Sequence, residues 1–280
     1  MQHSSIRAES FFLKTESGER YCQFYRPVLN DPIGTFIYIH PFAEEMNKSR
    51  RMVARQSKVF SANGFAVLQI DLCGCGDSSN DFNEARWEIW KQDIFHGINW
   101  IKRQVFAPIN LWGLRLGGLL ALDIANEAKT NFQHIVLWNP ILNGNTFLTQ
   151  FLRLKMASQL MIKSNDEGSG TRILREKITM GENLEIAGYE LSSALALAID
   201  KLRISDFKVF NTKIHWFEVV SEAGRTLSPT GMAIVNSWKQ QNIDLNLQYV
   251  KGQAFWATQE ITECPGLVEA TTSQFSVIPQ

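Results

Sequence analysis

Apolar residues run unbroken through Thr35-Phe36-Ile37-Tyr38-Ile39 and almost unbroken through Phe65-Ala66-Val67-Leu68-Gln69-Ile70. Such runs mark strands buried on both faces of a parallel sheet. Between them, residues 48–62 carry mixed charge at helical spacing and stop at Asn63-Gly64. Ahead of them, residues 9–26 alternate polar and apolar around Glu16-Ser17-Gly18-Glu19, which predicts a β-hairpin. After the second run comes a loop, DLCGCGDSS, and then Trp87, Trp90, Ile94, Ile98 and Ile101 recur at three- and four-residue intervals. That spacing predicts an amphipathic helix from Trp87 to Arg103. A strand over 108–112, a helix over 117–128 and a strand at Ile135-Val136-Leu137-Trp138 complete this part.

Strand–helix alternation of this kind implies right-handed crossovers and a mainly parallel sheet with helices on both faces. From Asn139 to about Asp206 the pattern changes. Residues 146–163 read as a helix carrying Phe147, Leu148, Phe151, Leu152, Leu154 and Met156, residues 164–170 as a flexible break, and further helical stretches follow. The alternation resumes with a strand from Ile214 to Val220, a helix over 229–240, a strand over 245–250 and a C-terminal helix near 258–270 interrupted at Pro265. The division expected is a core of residues 1–139 and 207–280 with a cap inserted over 140–206. The apolar face of the cap either covers a pocket, forms a dimer surface or packs on the body.

Composition narrows the functional classes. In 280 residues, 45% hydrophobic and 20% charged content is ordinary for a globular protein. Lys+Arg and Asp+Glu are both 28, so no global charge attracts nucleic acid or an acidic membrane surface. No run approaches a membrane span and MQHSSIRAESFFLK has no signal-peptide core, which points to a cytoplasmic protein. Four cysteines make no disulfide framework at this length. Cys73-Gly74-Cys75 lacks a second ligand pair, so no metal site is expected. The same stretch lacks the third glycine and the immediate helix of a dinucleotide loop, so no cofactor is expected either. Trp87, Trp90 and Trp100 read as core.

The chemistry concentrates in Asn110 to Ala125, NLWGLRLGGLLALDIA, where strand, tight turn and helix meet at Gly113-Leu114-Arg115-Leu116-Gly117-Gly118. His40-Pro41-Phe42 follows the third strand, and Asp71-Leu72-Cys73-Gly74-Cys75-Gly76-Asp77-Ser78 follows the fourth. In this order the three stretches resemble the α/β-hydrolase superfamily: its oxyanion-hole loop, its D-x-x-G-x-G-x-S loop and its G-x-S-x-G nucleophile elbow. The resemblance implies that fold over nearly the whole chain, with a mostly helical cap after the sixth strand. Its catalytic groups do not carry over. Arg115 holds the nucleophile position, and a guanidinium stays protonated without a usable lone pair. Counting back from Pro229 to the acid position gives Arg225, with Glu222 nearby. The stretch Val250-Lys251-Gly252-Gln253-Ala254-Phe255-Trp256 leaves Ala254 where the histidine belongs, and no histidine follows His215.

A narrower resemblance is to the type 2 hydrolase-like proteins associated with bacterial exosortase A and exopolysaccharide systems. It is carried by GLRLGG (113–118), GYELS (188–192) and FWATQEITECPGLVEAT (255–271). It implies that the arginine belongs to the family, in a cytoplasmic protein linked to polysaccharide export or protein sorting.

Arg115 opens a helix, whose N-terminus already favours negative charge. A guanidinium there can grip a carboxylate, phosphate or sulfate bidentately, all the more if Arg225 converges on it. Alternatively Arg115 pairs internally with Glu44, Glu45 or Asp71 and fills the old site. His40 is either an acid or base, or it orders its loop. Cys73 or Cys75 with His40 as base is a further arrangement. Glu44 and Glu45 are general bases or partners of Arg115, and partnership would lower their pKa. The candidate ligand-binding set is therefore Arg115, His40, Phe42, Glu44, Glu45, Leu116 and Arg225. Its ligand would be a small anionic molecule or a protein partner, with a homodimer possible. The alternative is a hydrolase or acyltransferase of unusual mechanism on an ester or thioester, in which Arg115 stabilises an oxyanion.

Overall fold

The computed structural model describes residues 8–127, 131–160 and 167–275. The chain runs β1 (Ala8–Thr15), β2 (Gly18–Tyr25), β3 (Gly34–Ile39), α1 (Glu44–Ala62), β4 (Phe65–Ile70), α2 (Trp87–Gln104), β5 (Ile109–Leu114), α3 (Leu116–Glu127) and β6 (His134–Trp138). Then come α4 (Gly144–Leu160), α5 (Glu167–Thr179), the short strands β7 (Leu184–Ile186) and β8 (Tyr189–Leu191), and α6 (Ser193–Lys201). It closes with β9 (Lys213–Val220), α7 (Pro229–Gln240), β10 (Leu245–Lys251) and α8 (Pro265–Ser273).

Eight strands form one sheet in the order β1-β2-β4-β3-β5-β6-β9-β10. The β1–β2 hairpin joins β4 antiparallel, and every pairing from β4 to β10 is parallel. Side chains alternate across a strand, so β3 feeds two cores. Ile37 and Ile39 belong to the core on one face, with Ile94 and Ile98 of α2 and Leu119 and Leu120 of α3, and this core extends to Trp238 of α7. Phe36 and Tyr38 pack with Met52, Val53 and Phe60 of α1 and Leu267 of α8. The rings of Phe36 and Phe60 stack at 4.1 Å, and burying one such side chain stabilises the fold by roughly 1.5–3 kcal/mol. Trp138 of β6 donates through Nε1 to Thr271 Oγ1 at 2.9 Å, fastening α8 to the sheet.

Several boundaries differ from the sequence reading. Helix α1 begins at Glu44 rather than 48, placing two carboxylates in its first turn, where the helix dipole favours them. The C-terminal helix is not interrupted at Pro265 but begins there, and residues 258–264 are non-helical. Proline has no N–H to lose in a first turn. The expected break at 164–170 is helical from Glu167, where α5 starts, and residues 164–166 lie outside the described residues, as do 161–163 of the predicted cap helix. Strands β7 and β8 are too short for a periodic signal in the sequence. Helix α7 matches its predicted bounds, with the Ser228 hydroxyl accepting from Gly231 N–H ahead of Pro229.

The segment between β6 and β9 is mostly helical, and α4 lays Phe147 and Phe151 edge-on to Phe42, at 5.5 and 5.0 Å. Among the described residues, no helix is long and apolar enough to cross a membrane.

Candidate active site at the strand–helix elbow

Between β5 and α3 the single residue Arg115 turns the chain, at φ 55°. A non-glycine residue in this left-handed region is uncommon and costs on the order of 1–3 kcal/mol, offset by its surroundings. Three backbone bonds hold it: Arg115 N–H donates to Trp138 O (3.0 Å), and Arg115 O accepts from Gly118 (3.0 Å) and Ile141 (3.2 Å). Two glycines make the turn possible. A Cβ at Gly113 would strike the backbone of Gly117, and a Cβ at Gly117 would strike the carbonyl oxygens of Ile39 and His40. Ala43, just before α1, is also left-handed, with φ 50° and ψ −128°. Backbone strain thus gathers on both loops at this end of the sheet.

The Arg115 side chain meets Glu45 on one edge, with Nε donating to Oε1 at 3.2 Å. Its guanidinium carbon lies 5.5 Å from the centre of the Trp256 ring, a cation–π arrangement. The pair is not sealed, since about a fifth of each side chain is exposed. Glu45 Oε2 is buried with no hydrogen-bond partner. Burial pushes the Glu45 carboxyl above its ordinary value, outweighing the opposing effect of Arg115. The lowered value expected from guanidinium partnership is therefore reversed by desolvation. Glu218 on β9 behaves alike: burial raises it, while Trp216 Nε1 (3.0 Å) and the charge of Arg115 pull it down.

Two cavities open on either side of Arg115. One, of about 230 Å³, has Glu44, Glu45 and Arg115 at its polar end, and walls that include Phe42, Phe147, Phe151, Leu154 and Trp256. The other, about 360 Å³, is mostly polar, with Asn143, Thr146, Glu218, Ser228 and Thr230. Arg115, Phe147 and Gln150 line both.

Of the candidate residues, Arg115, Phe42, Glu44 and Glu45 come together on the first cavity. His40 and Leu116 sit behind it on a void of about 10 Å³. Both ring nitrogens of His40 are engaged. Nδ1 lies 2.7 Å from Pro41 O, and Nε2 accepts from Leu72 N–H at 3.2 Å, which puts the proton on Nδ1. Burial lowers the pKa of this imidazole, so it stays neutral and orders its loop. Arg225 stands exposed with Nη1 on Ser221 Oγ (3.1 Å) and lines neither cavity beside Arg115. Ala254 and Glu222 are likewise exposed. Asp71 pairs with Arg50 at 2.9 Å rather than with Arg115. Cys73 and Cys75 are buried thiols whose pKa burial raises, which leaves neither as a thiolate nucleophile. Trp256 and Glu218 were not singled out from the sequence. Trp256 follows Ala254 by two residues, and Glu218 faces Arg115 only because of its place in β9.

A protein-family model described as "Serine aminopeptidase, S33" matches residues 30–179, more than half of the 280. Protein ABHD12B of Homo sapiens is 33% identical over 126 residues, 44% of this chain and 33% of that protein. Lysophosphatidylserine lipase ABHD12 of Xenopus tropicalis is 28% identical over 125 residues, 43% of this chain and 31% of that protein. The chain thus spans about a third of the length of these curated relatives. Among solved structures, Est1E of Butyrivibrio proteoclasticus with ferulic acid superposes at a TM-score of 0.66, with 15% identity, 95% of this chain and 97% of that one. A soluble variant of monoglyceride lipase from Saccharomyces cerevisiae gives 0.67, with 12% identity, 98% of this chain and 95% of that one. At these identities the likeness shows the fold, which is that of the α/β-hydrolases. The chain belongs to the serine aminopeptidase, S33, family.

Proposed function

We propose that this member of the serine aminopeptidase, S33, family is a binding protein for a small anionic ligand rather than a serine hydrolase. The observation that carries the reading is Arg115 itself. A permanent cation occupies the elbow, one edge is taken by Glu45, and cavities open on both sides. A serine hydrolase needs a nucleophile, a histidine base and a carboxylate to orient it. Arg115, Ala254 and Arg225 at those positions supply none of these. The expected cap, residues 140–206, contributes Phe147, Gln150, Phe151 and Leu154 over the ligand. The type 2 exosortase A-associated resemblance supports a cytoplasmic place beside polysaccharide export or protein sorting, where the ligand-bound form would report to a protein partner.

The test is a fluorophosphonate labelling assay beside a thermal-shift series with octanoate, inorganic phosphate and glucuronate. The expected result is no covalent labelling, together with a melting shift from at least one anion that disappears in Arg115→Ala. Rapid stoichiometric labelling would overturn the reading.

A second reading, an ester or thioester hydrolase or acyltransferase of unusual mechanism, is favoured by one observation. Glu45, which lines the first cavity, has a buried oxygen without a partner, and its raised pKa makes it a stronger base than an ordinary carboxylate. Turnover on an ester and thioester panel, lost in both Arg115→Ala and Glu45→Gln, would establish it in place of the first.

A further inference from the structure

We infer that the ligand is an apolar monocarboxylic acid and that Glu45 is its internal competitor, occupying the place on Arg115 that the ligand's carboxylate takes. The inference rests on the proposal that Arg115 binds an anion, and it selects which anion and how the site is kept closed.

The charge balance selects a monoanion. Arg115 faces Glu45 directly and Glu218 across the second cavity, while Glu44 stands at the rim with Lys48 at 3.5 Å. Added to that set, a phosphate or sulfate dianion would meet three carboxylates against one guanidinium and one ammonium. A monocarboxylate that displaces Glu45 leaves the charge around Arg115 unchanged when Glu45 takes up a proton from solvent in the exchange. The guanidinium is suited to the exchange. Glu45 engages Nε alone, at 3.2 Å, whereas a free carboxylate can bond two N–H groups side by side.

The walls select an apolar body. From the polar end at Arg115 the cavity of about 230 Å³ runs between Phe42, Phe147, Phe151, Leu154 and Trp256. At about 30 Å³ for each water-sized group, it holds roughly seven or eight methylene-sized units. A sugar acid would bring several hydroxyls to these rings with Gln150 alone among the neutral side chains to bond them, and unpaired buried hydroxyls are costly. An alkyl chain or a phenyl-terminated short acid meets no such loss.

Glu45 has the features of a displaceable counter-ion. One of its oxygens has a single bond to Arg115 and the other is buried without a partner. A carboxylate so placed is poorly satisfied, and the raised pKa eases its protonation once Arg115 turns to the ligand. The charged and titratable groups around it are Arg115 from the elbow, Glu44 and Lys48 from its own helix, and Tyr38 from β3.

Isothermal titration of the full chain with octanoate, 1-octanol, inorganic phosphate and glucuronate tests this, using the wild type, Glu45→Gln and Arg115→Lys. Expected is that octanoate binds the wild type and binds Glu45→Gln about tenfold more tightly. Arg115→Lys, which keeps the charge and loses the paired N–H groups, should bind at least about tenfold more weakly. 1-Octanol, phosphate and glucuronate should each bind far more weakly than octanoate. If phosphate or glucuronate matches octanoate and its binding still depends on Arg115, the anion site stands and the monocarboxylate assignment is overturned. If octanoate binds with equal affinity in wild type and Glu45→Gln, the competitor role is overturned. If no anion's binding responds to Arg115→Lys, the reading of Arg115 as an anion site falls with it.

Discussion

Arg20 and Asp93 form an ion pair of 2.7 Å in which both side chains are shut off from solvent. Arg20 belongs to β2 and Asp93 to α2. The second Asp93 oxygen accepts from Cys73 N–H at 2.8 Å, so hairpin, helix and the loop after β4 meet at one carboxylate.

Breaking that pair from one side leaves a buried charge without its partner, which costs about 3–5 kcal/mol. Arg20→Met and Asp93→Leu should each lose stability of that order in urea unfolding, and the double variant should recover much of the loss. Single-variant losses below about 1 kcal/mol would show that the pair is structurally idle.

Together with His40 and His134, whose pKa values burial also lowers, His215 should contribute to the loss of stability in acid. It is buried on β9, with Nε2 3.1 Å from Nδ1 of His134 and its own Nδ1 unpartnered. Burial, then the neighbouring His134, brings its pKa from 6.5 down to about 3. Below 6.5 the unfolded chain takes up a proton there that the folded chain refuses, so stability falls as pH drops from 6.5 towards 3. His215→Phe should flatten that decline in urea midpoints taken at stepped pH. An unchanged slope would assign the acid sensitivity to other groups.

A serine hydroxyl placed at the elbow should not by itself confer hydrolysis. In Arg115→Ser the hydroxyl has no histidine at position 254, and both nitrogens of His40 are already engaged. The expected turnover of p-nitrophenyl acetate or butyrate stays at the background of Arg115→Ala. Clear activity in Arg115→Ser would mean that another base reaches the elbow.

Gly117→Ala should cost on the order of 3 kcal/mol or prevent folding, because its methyl would meet two backbone carbonyls that cannot step aside. Gly224→Ala is the control: its Cβ meets nothing within 4 Å, although its φ of 87° disfavours a side chain. A melting temperature for Gly117→Ala equal to that of Gly224→Ala would contradict the packing account.

Much of the fold is legible in the sequence because parallel strands are continuous apolar runs and the elbow announces itself by glycine spacing. Arg115 was legible for the same reason. Its partner was not: Glu44, Glu45 and Asp71 were equal on paper, and the choice depended on α1 starting four residues early and on Arg50 taking Asp71. Trp256 and Glu218 were hidden because each reaches the site through a tertiary relation, a loop fold in one case and the register of β9 on β6 in the other. The pKa of Glu45 ran against the sequence expectation because burial, which one sequence does not reveal, outweighed the neighbouring charge. The start of the C-terminal helix is not legible because a proline reads equally as a helix breaker or a helix starter, and Pro265 is a starter.

The turn at position 115 is fixed by backbone bonds and by two glycines, none of which depends on the side chain it displays. It works as a socket, presenting whatever group it holds at one point between two chambers. The side chain at this position can therefore be exchanged without rebuilding the scaffold.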